Sequence, residues 1–318
     1  MRFVTFSPGS FPSVRGARPG VLAPAGTRVA DLLAVKEGGA WGALPPPTPF
    51  LLDWFDRDGP WCAFAERVAH VMATDPTGTR QLDADGALRS LTEVRLLAPV
   101  PRPGKVVAVG LNYRDHAAEA KMPVPEAPVI FGKFPSAVIG PDAPVVLPAS
   151  SDRVDYEAEL AVVIGRRARG IARADALQAV LGFTNANDVS ARDFQKADGQ
   201  WVRAKSCDTF APLGPAIVTL DELVRPDALG IELRLNGHTM QRSNTSEFIF
   251  DVPALVAFIA DTITLEPGDV ILTGTPAGVG FARRPPAYLR DGDSVEVEID
   301  GLGVLRNPVV GSSTGREA

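Results

Sequence analysis

The chain has 318 residues, 45% hydrophobic and 22% charged, with a formal net charge of -6. That is enough to bury a sizeable core in one large domain plus a smaller one, and the acidic balance excludes a nucleic-acid partner. No apolar run reaches the roughly 18 residues of a membrane span, and Met1 to Gly9 lack a secretory apolar region, so the expectation is a cytoplasmic protein without a membrane partner. Cys62 and Cys207 are the only cysteines, far apart, which rules out a disulfide framework and a Cys-based zinc site. The histidines are His70, His116 and His238, too few for a His-rich cage, so any bound metal must be held mainly by oxygen. Oxygen ligands favour Mg2+, Mn2+ or Ca2+.

Residues 1–98 read as a small N-terminal α+β domain, punctuated at Pro19-Gly20 and Pro45-Pro46-Pro47. Its one convincing helix runs from Trp61 to about Ala73, entered through Asp58 and Pro60, with Trp61 and His70 as packing or surface residues. Pro99-Val100-Pro101-Arg102-Pro103-Gly104 cannot continue regular structure and marks a boundary, so that 103–312 form the main domain. Strands are predicted near 105–109, 128–132, 154–164, 213–218, 231–235, 269–273, 294–300 and 303–309. Asn236-Gly237 between Leu233-Arg234-Leu235 and His238-Thr239-Met240 signals a tight hairpin. Helical segments are predicted near 114–120, 175–180 and 190–196, and after Asp251 as N-cap through Ala254 to Ile263. This is a β-rich α+β domain without βα alternation, and residues 313–318 read as a disordered tail.

Within the strand at 154–164, Glu157 and Glu159 are two apart and project to one face, while Leu160, Val162 and Ile164 hold the other against a core. Paired carboxylates in apolar surroundings call for a counter-ion. Asp188 follows the apolar stretch Val180 to Phe183 and supplies a third acid, which leaves coordination positions of an octahedral cation open to water or a chelating substrate. On the helical turn after Gly110, His116 and Glu119 are i and i+3 neighbours, so the carboxylate can orient one imidazole nitrogen and leave the other as a base. Lys205 follows a loop, and Thr273-Gly274-Thr275-Pro276 with Gly278-Val279-Gly280 offers hydroxyls and N–H groups for a carboxylate. That glycine-rich segment lacks the ending of a phosphate loop.

The order Gly110-Leu111-Asn112-Tyr113 with His116, Phe131-Gly132-Lys133, Glu157 with Glu159, Asn187-Asp188 with Ala191-Arg192-Asp193, Lys205-Ser206, Leu265 to Asp269 and Thr273 to Gly280 resembles the fumarylacetoacetate hydrolase family over about 103–310. The resemblance is greatest to its acylpyruvate hydrolase, decarboxylase and isomerase branch. It implies a mixed β-sandwich roll, a homodimer, and Glu157, Glu159 and Asp188 as ligands of a divalent metal. It further implies His116 and Glu119 as a water-activating lid dyad, Lys205 and Gln195 on a substrate carbonyl, Thr275 on a carboxylate, and Tyr113 and Arg192 in substrate binding. The leading expectation is hydrolysis of a carbon–carbon bond in an acylpyruvate or fumarylpyruvate, giving pyruvate and a carboxylic acid through a metal-neutralised enolate. The alternative is decarboxylation of oxaloacetate or a related oxo-acid, or isomerisation or hydration of a 2-hydroxydienoate. A catalytically idle metal-binding scaffold is the remaining reading.

Overall fold

The computed structural model describes residues 1–9, 16–46, 48, 50–223 and 225–312. The tail predicted at 313–318 and Pro47 of the triple proline lie outside them. At the centre, Ala158–Ile164 is a strand buried on both faces. Its two-residue period sorts its side chains: Leu160, Val162 and Ile164 enter one core with Val109 and Phe183, whereas Ala161 and Val163 enter another with Val106, Leu181 and Leu272. The sheet around it runs Leu88–Ser90, Arg28–Asp31, Arg18–Leu22, Arg2–Pro8, Ala211–Thr219, Val180–Asn187, Ala158–Ile164, Val270–Leu272, Val106–Gly110, Val129–Lys133. Neighbours along it are antiparallel except Val270–Leu272 beside Val106–Gly110.

A second sheet, His238–Asn244, Gly230–Leu235, Ser294–Ile299, Gly303–Gly311 and Val145–Leu147, covers the first core with Ile231, Leu233, Val295 and Val297. Asn236 and Gly237 both take left-handed backbone, φ 53° and 78°, which is what a type I′ turn requires of its two central residues. The helix Val252–Thr262 closes that core with Leu255, Val256 and Ile259, and Asp251 caps it by accepting from the Ala254 N–H at 2.9 Å. The result is the β-rich α+β domain expected from the strand pattern, with the layered sheets that the family resemblance implies. No helix among the described residues is long and apolar enough to cross a membrane.

The opposite face of the central sheet is covered by the N-terminal segment. Helix Pro60–Thr74 starts with Pro at its first turn and buries Trp61, Phe64, Ala65, Val68, Val71 and Met72 at three- and four-residue spacings. Phe64, Ala65 and Val68 share a core with Ala161, Val163 and Leu272, so Phe64→Ala would cost about 3–5 kcal/mol in transfer and cavity terms. Trp61 packs on Trp54 with ring centroids 4.8 Å apart, and His70 is exposed. The strand Arg2–Pro8 pairs with Ala211–Thr219, Phe3 opposite Ile217, so the central sheet continues across the linker. The boundary at 99–102 separates two stretches of unlike composition that share one sheet and one core.

Candidate active site

The antiparallel pair Ala158–Ile164 and Val180–Asn187 builds the acidic centre. Ala158 stands opposite Asn187, so Glu157 and Glu159 at the start of one strand meet Asp188 just past the end of the other. The Asp188 N–H donates to the Glu157 carbonyl at 2.8 Å, and the Asn187 side chain accepts from the Glu157 N–H at 2.9 Å. One carboxylate oxygen from each of Glu157, Glu159 and Asp188 lies within 4.8 Å of the others, and all three residues are buried.

Three cations surround these acids. Lys205, at the end of the short helix Val202–Lys205, places Nζ 2.5 Å from Glu157 Oε2 and 2.6 Å from Asp188 Oδ2. Lys133 ends the strand Val129–Lys133 and donates to Asp188 Oδ1 at 2.5 Å from a side chain with no exposure. Arg192 donates to Glu157 Oε1 at 2.5 Å, Asp155 Oδ2 at 2.9 Å and Gln195 Oε1 at 3.1 Å, with its guanidinium 4.5 Å over the Phe281 ring. Burial alone would raise Glu157, but Arg192 and Lys205 outweigh it and hold that carboxyl well below the usual range. Burial lowers Lys133 in spite of Asp188, whereas for Lys205 the same burial is overcome by Asp188 and Glu157, and its pKa rises.

Glu159 is left without a cation. Among the described residues it makes no ion pair, and its Oε2 accepts the Gly274 N–H at 2.7 Å. Burial, reinforced by Asp188 and Glu157, pushes its pKa well above the carboxylate range. A divalent cation among the three acids fits this arrangement: the donors are hard oxygens, and the missing charge is positive.

The helix Arg114–Ala120 sets the dyad against this centre. His116 Nδ1 lies 3.2 Å from Glu119 Oε2; a carboxylate only accepts, so Nδ1 donates to it and Nε2 is the nitrogen left for proton transfer. Glu119 Oε1 accepts the Gly278 N–H at 3.0 Å, and these bonds outweigh burial to lower its pKa. Asp115 accepts from Ser243 Oγ at 2.6 Å, which fastens the helix to the second sheet. His116, Glu157, Glu159, Asp188, Lys205 and Thr275 line one cavity of about 160 Å³. Gln195, Arg192, Gly110, Phe131, Trp201 and Phe281 also stand in its wall. Thr275 is buried and its Oγ1 accepts from Gln241 Nε2 at 2.8 Å.

Of the residues singled out from sequence, the structure brings His116, Glu119, Glu157, Glu159, Asp188, Arg192, Gln195, Lys205 and Thr275 into one place. Tyr113 requires a correction: its ring is fully buried, edge-on to Phe248 at 4.8 Å, and it stands in the core instead of the cavity wall. Arg192 lines the cavity with its Nε and both Nη groups already bonded, so it anchors neighbouring side chains. Sequence reasoning gave no role to Lys133 or Asp155. Asp155 has no exposure and accepts from Arg192, from Gly280 N–H at 2.7 Å and from Phe281 N–H at 3.1 Å, tying the 279–281 loop to Arg192. Its position two residues before Glu157, and a lysine closing an apolar strand at 133, were the available signals.

The sheet, the acidic centre and the dyad define a family. Residues 105–310 match the fumarylacetoacetate (FAA) hydrolase C-terminal family, and the chain belongs to it. An oxaloacetate tautomerase, mitochondrial fahd2 of Xenopus laevis, is 49% identical over 236 residues, covering 74% of each chain. The crystal structure of a 5-carboxymethyl-2-hydroxymuconate delta-isomerase from Mycobacterium smegmatis is 36% identical with a TM-score of 0.71, over 98% of this chain and 99% of that one. A fumarylacetoacetate hydrolase from Exiguobacterium antarcticum is also 36% identical, with a TM-score of 0.76 and coverage of 98% and 99%. The protein is an enzyme of this family, and the tautomerase and isomerase relatives favour the alternative reading over carbon–carbon hydrolysis.

Proposed function

We propose that the chain is a keto–enol isomerase of a small 2-oxo acid, of the oxaloacetate or 2-hydroxydienoate class. The observation that carries this reading is the His116–Glu119 dyad set against the acidic centre at a cavity of about 160 Å³. Ligand cavities commonly span about 300–1,000 Å³, so this one suits a short acid more than an acyl chain with an attacking water beside it. Glu157, Glu159 and Asp188 would hold Mg2+ or Mn2+, which when bound supplies Lewis-acid polarisation of the 2-oxo group and neutralises enolate charge. Lys205 adds positive charge beside Glu157 and Asp188, and Thr275 offers its hydroxyl to a substrate carboxylate. His116 Nε2 takes a proton from C3, the C2=C3 double bond forms, and the imidazolium returns that proton to the oxygen on C2. Glu119 holds the ring in the tautomer this requires and stabilises the imidazolium.

The test follows the enol absorbance of oxaloacetate with and without Mg2+, with carbon dioxide and pyruvate quantified at the end. Accelerated enol loss without either product is the expected result, and His116→Ala should slow it at least ~100-fold. Release of carbon dioxide would assign decarboxylation instead. Equal pyruvate and acetate from acetylpyruvate would restore the hydrolase.

A further inference from the structure

The far wall of the cavity is built with unusual economy of space. Trp201 and Lys205 are one helical turn apart, the Lys205 N–H donating to the Trp201 carbonyl at 2.9 Å. Four residues of helix rise separate their Cα positions by about 6 Å along that axis. Both pack against Phe131: Lys205 Nζ lies 5.2 Å from its ring centroid, and the Trp201 ring meets it edge-on at 5.2 Å and 74°. Against the indole lies Gly110, itself in the cavity wall at the end of the strand Val106–Gly110. A Cβ at Gly110 would sit 2.7 Å from Trp201 Cζ3 and 3.1 Å from Cη2, closer than real Cβ contacts come. Gly110 has no positive φ among the glycines that do, so its missing side chain serves close approach and not a turn.

We propose that Trp201, seated in the notch left by Gly110, sets the chain length of acid the cavity admits. The acidic centre and Lys205 take the 2-oxo acid head, and the indole in the same cavity wall stops its far end. This rests on the oxo-acid reading above. The indole and the Phe131 ring carry no charge, so this end of the cavity discriminates by length.

The experiment is calorimetric titration of the Mg2+-loaded protein and its variants with oxalate, which fills the head position alone, and then with unbranched 2-oxo acids of increasing length. In the wild type, affinity should fall by about tenfold or more at the first methylene that reaches the indole. In Trp201→Ala that break should vanish, affinity instead rising about fourfold per added methylene, while oxalate affinity moves by less than about threefold. Trp201→Phe, which keeps an aromatic ring beside Phe131, should place the break at a longer acid than wild type. Gly110→Ala should push the indole inward and shorten the limit, and in the Trp201→Ala background it should have no further effect. If Trp201→Ala and Trp201→Phe bind oxalate and keep the wild-type length limit, the proposal is overturned. If no form binds oxalate, the oxo-acid reading itself fails and takes this inference with it.

Discussion

Lys133→Met is the sharpest perturbation of the charge balance at the site. The lysine side chain has no exposure and donates to Asp188 Oδ1 at 2.5 Å and to the Val189 carbonyl at 3.3 Å. Methionine keeps most of the volume and removes the charge, leaving Asp188 with Lys205 as its one cationic partner. Breaking a buried pair from one side costs about 3–5 kcal/mol. Unfolding entropy of about 2.1 cal/mol/K per residue, over 318 residues, amounts to about 0.7 kcal/mol per degree, so Tm should fall by about 4–7 °C in the metal-free protein. With saturating Mg2+ the loss should shrink, because the cation supplies positive charge to the same carboxylate. Differential scanning calorimetry in EDTA and in Mg2+ reads both values. A change under about one degree, or an equal loss in the two conditions, would refute the reasoning that Lys133 and a metal share the compensation of Asp188.

Glu159 makes metal binding sensitive to pH in a defined direction. Its raised pKa keeps it protonated in the metal-free protein above the ordinary 4.5, so binding must displace that proton, and Mg2+ affinity should weaken by about tenfold per pH unit as pH falls below the raised value. Isothermal titration at several pH values measures this; an affinity constant down to 4.5 sinks it. Asp155→Asn should lower kcat/KM by about 10–100-fold with circular dichroism unchanged, since Asp155 reaches the cavity only through Arg192 and the 279–281 loop. Unimpaired kcat/KM would remove that positioning role.

Much of the main domain was legible because its strands are bounded by turn residues and its acids stand out against apolar flanks. The segment at 303–309 became Gly303–Gly311, 231–235 became Gly230–Leu235, and the helix at 114–120 was found over Arg114–Ala120. Other elements were hidden for physical reasons. Val180–Asn187 continues into Thr184, Asn185 and Asn187, polar residues that a sequence reading ends a strand on; Asn185 is held inside by the Gly214 and Gly303 carbonyls at 3.1 Å. Arg2–Pro8 is buried through five successive residues, so it shows no alternation. The hairpin signal reached His238-Thr239-Met240 but not the rest of His238–Asn244, which is mostly polar and lies on a sheet edge. The predicted strand at 154–164 is broken at Tyr156-Glu157, which frees Glu157 to turn toward Arg192 and Lys205. At the site, Glu157, Glu159, Asp188 and the His116–Glu119 spacing were readable from local pattern. Lys133 was not, since its partner Asp188 is 55 residues away and only the sheet brings them together.

The pairing of Arg2–Pro8 with Ala211–Thr219 has a consequence for synthesis. The first strand leaves the ribosome about 200 residues before its partner, an interval of about 10–40 s at ~5–20 residues per second. During that time Phe6 to Pro8 can be sheltered by Val94–Leu96 and the other edge by Arg18–Leu22, but Arg2 and Phe3 have no neighbour on the side that Ile217 and Val218 will fill. The nascent chain therefore carries an open, apolar half-edge while the roughly 200 residues between the two strands are made, which makes Arg2–Pro8 dependent on a strand synthesised much later.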